Sequence, residues 1–143
     1  MQIGVGSDEA VANYCVFIIC SCEISGAALQ CMLQDEYETH EWRGLAQTLG
    51  RMRERKPDVA IVDMAELGDA CARTMDRIRA ASPNTRVVVL VGSANEPEGP
   101  RWLAEGARSL LPQPLTVEAV RRKVRLALGL RATVGIGVEV DSR

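Results

Sequence analysis

Three short apolar runs punctuate the chain: Cys15 to Cys20 (CVFIIC), Val59 to Val62 (VAIV) and Val87 to Val91 (VVVLV). Runs of this length without alternation predict strands buried on both faces, as in a parallel sheet. Two further strands are weaker. Tyr37 to Trp42 is more polar, as expected near a sheet edge, and Ser109 to Leu111 is short and closed by Pro112-Gln113-Pro114. Between the strands the apolar spacing changes to three and four, the helical period. Ser25 is the expected cap of a first helix whose inner face carries Ala28, Leu29, Met32 and Leu33. Gly44 opens a second, with Leu45, Leu49 and Met52 inward and Arg51, Arg53, Arg55 and Lys56 outward. Pro57 bars its continuation. Glu66-Leu67-Gly68-Asp69 reads as a loop. Cys71, Met75 and Ile78 mark a third helix, stopped by Ser82-Pro83-Asn84. A short fourth helix is expected around Arg101 to Glu105. Thr116 caps a fifth with Val117, Val120, Val124, Ala127 and Leu128 on one face, and Gly129 follows it.

Five βα units in series predict an α/β fold: a three-layer, doubly wound sandwich around a five-stranded parallel sheet. The flavodoxin-like strand order 2-1-3-4-5 is the natural expectation. Residues 15–130 form the expected domain. Residues 1–14 read as an N-terminal extension and 131–143 as a C-terminal one. In the latter, residues 133–140 (TVGIGVEV) alternate like a strand that should pair with Ile3-Gly4-Val5, the sheet edge or another subunit.

Composition adds mainly exclusions. The chain has 143 residues and a net charge of −2, so no electrostatic footprint for nucleic acid or an acidic membrane is expected. No apolar run approaches the roughly 20 residues of a bilayer span, and no basic-then-apolar leader opens the chain. A cytoplasmic location is therefore expected. Five cysteines (Cys15, Cys20, Cys22, Cys31 and Cys71) are an odd number, mostly in apolar segments, and are expected to stay reduced.

The candidate chemistry lies at Asp63, directly after the central apolar run. A carboxylate there sits at the C-terminal edge of a parallel sheet, where ligands bind; an Asp can also simply start a turn. The order of PDVAIVD ending at Asp63, DRIRAASPNTRVVVLV, and GARSLLPQPLT resembles the receiver domain of bacterial response regulators, from Val16 to Gly129. The resemblance implies that Asp63 stands where a phosphoryl group is accepted with the help of Mg²⁺. It also implies that the Gln113–Pro114 peptide is cis.

Around Asp63 the chain departs from that family. Its two metal-binding acids are replaced by Cys20 and Ser21. Its strand-four hydroxyl is replaced by Val91 (Ser93 is nearby), its strand-five lysine by Gln113, and its switch aromatic by Leu110. Mg²⁺ needs hard oxygen ligands, and only Glu23 offers a nearby acid. The reading is an atypical, or pseudo-, receiver: not an enzyme, with no metal or cofactor and Mg²⁺ binding lost. It would serve as a phosphorylation-independent interaction module in bacterial signal transduction. The alternative is a phosphorylatable two-component regulator using Asp63. The family's usual contact face, fourth helix, fifth strand and fifth helix, would carry Arg101, Trp102, Leu103, Arg108, Arg121 and Arg125 to a protein partner or a second copy. Soft donors are present too: Cys20 and Cys22, two apart, would share one face of an extended strand, with Cys15, Cys31 and His40 as further candidates. Their spacing matches no zinc pattern. His40 is expected at the surface, and the Arg51–Arg55 and Arg121–Arg125 runs as solvated faces rather than a nucleotide site.

Overall fold

A computed structural model describes residues 13–68 and 70–130. Eleven elements follow one another there. They are β1 (Cys15–Ile19), α1 (Glu23–Leu33), β2 (Glu38–Trp42), α2 (Leu45–Arg55), β3 (Val59–Asp63), α3 (Met64–Leu67), α4 (Cys71–Ala81), β4 (Arg86–Val91), α5 (Gly99–Ala104), β5 (Ser109–Pro112) and α6 (Val117–Ala127). The sheet is parallel throughout, in the order β2-β1-β3-β4-β5. The expected α/β fold and strand order are therefore observed.

Alternation along each strand sends side chains to two separate cores. Phe17, Ile19, Val62 and Val89 meet Leu49 and Met52 of α2, Met75 and Ile78 of α4, and Trp102 of α5. Val16, Ile18, Ile61 and Leu90 meet Leu29 and Leu33 of α1 and Val120 and Val124 of α6. Burying one such side chain contributes about 1.5–3 kcal/mol, which is why the three inner strands carry almost no polar residue. Among the described residues, no helix is long and apolar enough to cross a membrane.

Several expectations need correction. Helix α1 begins two residues before Ser25, with Cys22 as its extended N-cap and Glu23 in the first turn, where a negative charge suits the helix dipole. The expected loop after β3 contains the one-turn helix α3, because Asp63 caps it. Val117 is 39% exposed rather than inward. Trp102 is 2% exposed and belongs to the cluster of Met75, Ile78 and Val89, so it is a core residue and not a surface anchor. His40 lies on the edge strand as expected, its side chain 38% exposed. Thr116 does cap α6, accepting from Ala119 N at 3.1 Å. The Gln113–Pro114 peptide is cis. The proposed strand at 133–140 and its partner at Ile3-Gly4-Val5 lie outside the described residues.

Candidate functional site at the C-terminal sheet edge

Strands β1, β3 and β4 end side by side, with Ile19 opposite Val62 and Asp63 opposite Leu90. This register brings Cys20 and Ser21, just past β1, to the Asp63 carboxylate. Ser21 Oγ donates to Asp63 Oδ2 at 3.1 Å, and Cys20 Sγ reaches the same oxygen at 3.6 Å. The other oxygen, Oδ1, accepts from Ala65 N at 3.1 Å and so caps α3. Asp63 is thus both a turn-starting residue and the carboxylate at the sheet edge.

Electrostatically the site is closed on itself. Burial pushes the Cys20 thiol up to about 11, and the neighbouring Asp63 charge adds to the rise against the backbone hydrogen bond at Cys22. Cys20 is therefore a neutral donor at physiological pH. Cys22 differs: it is exposed, and the Ser25 backbone N–H at the head of α1 holds its thiol below the usual range. Glu23 points elsewhere, 83% exposed and 3.9 Å from Arg43, which also reaches Glu41 at 3.8 Å.

The remaining positions carry no charge. Val91 is 2% exposed and belongs to the core; Gln113 donates its backbone N–H to Val91 O at 3.2 Å. Ser93 turns its hydroxyl into its own loop, accepting from Asn95 N at 3.3 Å. Leu110 is half-buried and leans over the start of α5. A Cβ on Gly99 would lie 2.6 Å from its Cδ1, so the absence of a side chain at 99 is what lets it settle there. Among the described residues, Asp63 is the one carboxylate within hydrogen-bond reach of Cys20 and Ser21. Glu66, read as a loop residue, instead accepts from Leu45 N at 3.0 Å and caps α2 from a distance. Its partner N-cap, Gly44, has no side chain with which to do this, a non-local exchange that no local pattern reveals.

The expected contact face divides. Arg101, Leu103 and Arg108 are exposed, Leu103 at 42%. Arg121 and Arg125 turn away from them toward α1. Arg121 Nε donates to Met32 O at 3.0 Å, and both guanidinium groups reach Glu36, at 3.8 and 3.4 Å.

No family model matches the sequence, and no curated protein does. Solved structures do match by shape. A response regulator from Thermotoga maritima superposes with a TM-score of 0.73 at 20% identity, over 82% of this chain and 98% of that one. The chemotaxis response regulator CheY4 of Vibrio cholerae gives 0.69 at 19%, over 81% and 99%. NtrX from Brucella abortus, solved with ADP, gives 0.73 at 19%, over 82% of this chain but only 26% of NtrX. At such identities the likeness concerns architecture: the chain has the five-stranded fold of CheY-like response-regulator receivers.

Proposed function

We propose that this chain is a pseudo-receiver, a two-component-type signalling domain that acts by binding a protein partner or a second copy, independently of phosphorylation and without Mg²⁺. The observation that carries this reading is the pair of donors on Asp63: a hydroxyl at 3.1 Å and a thiol at 3.6 Å occupy its Oδ2. Magnesium is held by carboxylates, waters and substrate phosphates in near-octahedral geometry. A neutral thiol and a hydroxyl with one carboxylate do not fit it. No phosphoryl-transfer step is therefore assigned to this domain. With Val91, Leu110 and Gln113 in place of a hydroxyl, an aromatic ring and a lysine, no element pairs with a phosphoryl group, and a ligand can shift only an equilibrium that exists. The proposed contact surface is the exposed part of the α5–β5 face, Arg101, Leu103 and Arg108. Trp102 drops out because it is buried.

The test combines a small acyl phosphate with Asp63→Asn. No covalent phosphate and unchanged self- or partner-association are expected in sedimentation and pull-down measurements. A stable phosphoryl adduct lost in Asp63→Asn, with association changing in step, would establish the phosphoacceptor reading instead. Leu103→Asp is the complementary variant and should weaken association.

A further inference from the structure

The opposite, N-terminal edge of the sheet holds a second cluster. β1 and β2 pair with Cys15 opposite Glu38 and Phe17 opposite His40. Side chains two apart on a strand share a face, so Cys15, Glu38 and His40 converge under the last turn of α2. Their ligating atoms all lie within 4.8 Å of one another, the one such three-residue group among the described residues. His40 Nε2 is 2.9 Å from Glu38 Oε2. Arg55, at the end of α2, ion-pairs with Glu38 and reaches Cys15 Sγ at 3.9 Å. We propose that Cys15, Glu38 and His40 form a binding site for a zinc-type divalent transition-metal ion, with Arg55 as the cation that balances the site when no metal is bound.

The donor set selects the metal class. One sulfur, one imidazole nitrogen and one carboxylate oxygen suit Zn²⁺, whereas Mg²⁺ and Ca²⁺ take oxygen ligands. Three protein ligands leave a fourth position for water. The imidazole is already oriented, edge-on to Phe17 at 5.8 Å between centroids and stacked on Trp42 at 6.2 Å and 21°. Zinc bonds of about 2.0–2.3 Å place tetrahedral ligand atoms roughly 3.2–3.8 Å apart, so the widest separations, within 4.8 Å, contract by up to about 1 Å while the 2.9 Å His40–Glu38 pair opens slightly. Glu38 and His40 can supply that movement, since their side chains are 43% and 38% exposed. Arg55, 47% exposed, has solvent to swing into.

Charge balances in both states. Without metal, the Glu38 carboxylate is neutralised by Arg55. On binding, the Cys15 proton goes to solvent and the sulfur, His40 Nε2 and a Glu38 oxygen each donate a lone pair to the ion. One thiolate and one carboxylate then neutralise the dication, and Arg55 is released. The other charged neighbour is Asp58, whose Oδ2 accepts from Cys15 N at 2.8 Å and so holds the start of β1 in place.

Cobalt(II) titration of the metal-free full chain tests this, because a thiolate ligand adds a charge-transfer band and a tetrahedral site intensifies the d–d bands. One equivalent is expected to give both, and Zn²⁺ to abolish them. His40→Ala and Glu38→Gln should each weaken Zn²⁺ binding by more than the roughly 10–100-fold that loss of an outer partner costs. Arg55→Gln should strengthen it, and Cys22→Ser should leave the spectrum intact. Circular dichroism on the same samples checks the fold; His40→Ala, at a half-exposed edge position, keeps the test interpretable if Cys15→Ala unfolds. No thiolate band in the folded wild type, or a band that survives His40→Ala or vanishes in Cys22→Ser, overturns the assignment.

Discussion

Strand β1 starts at one thiol and is followed by another, and the two ends of the sheet treat them in opposite ways. Above, Cys20 and Ser21 both point donors at Asp63, so one carboxylate oxygen is engaged by neutral groups of its own chain. Below, Cys15 meets an imidazole, a carboxylate and a guanidinium, a set with a mobile cation in it. A carboxylate at the edge where such folds bind ligands is therefore no guide by itself. What surrounds it decides whether it can receive anything. In this chain the upper end carries the position and the lower end carries the donors.

Phe17→Ala should break the comparison most severely. Phe17 is fully buried and also props His40 and Trp42. A loss of about 3–5 kcal/mol is expected in denaturant unfolding, and the lower cluster should lose its ring orientation while the Asp63 hydrogen bonds persist. Asp63→Ala acts on the upper end alone. It removes the α3 cap and orphans two donors, for about 1–2 kcal/mol; Asp63→Asn, which can still cap, should cost less. Arg55→Gln is the matching change below, and the loss of a half-exposed ion pair should be under about 1 kcal/mol.

Proton linkage gives a further reading of the upper end. The folded Cys20 thiol titrates near 11 against an ordinary value of 9.0, so the folded chain binds this proton more tightly than the unfolded one. That contribution to stability is whole below about pH 9 and is lost as pH rises toward 11. Unfolding at stepped pH should show the decline, and Cys20→Ala should flatten it. The smallest effect is one of order. Cys22 should alkylate first of the five thiols as pH is raised, since it is exposed with a lowered pKa, while Cys15, Cys20 and Cys71 are buried with raised ones. Mass-spectrometric mapping of brief alkylation reads this directly; Cys20 reacting first would mean the upper end is open.

Much of the fold was legible because burial on both faces leaves a strand no room for polar residues: β1, β3 and β4 announce themselves. The longer helices were equally plain from three-and-four spacing. The misses share a cause, which is that short or non-local features have no period. Helix α3 is four residues long and exists because Asp63 caps it. Ser25 has the chemistry of a cap, yet the backbone turns at Cys22. The six residues of α5 are too few to show which way Trp102 faces, so resemblance alone placed it outside. Around Asp63, the resemblance alone points to Cys20 and Ser21 as neighbours. Their role as donors to Oδ2 emerges only from the register of β1 against β3. The Cys15–Glu38–His40 group was the least visible, because pairing of two strands, and no motif, brings it together.

The grip of Arg121 on Met32 O and of Arg125 on Glu36 joins residues 89 apart in the chain. Such a tie raises contact order, and closing so long a loop is costly before its contacts form. On the ribosome, Leu29 and Leu33 stay without their cover until α6 has emerged. This core face is consequently completed late in biosynthesis, and a nascent chain stalled before residue 121 would expose a sticky apolar helix to chaperones.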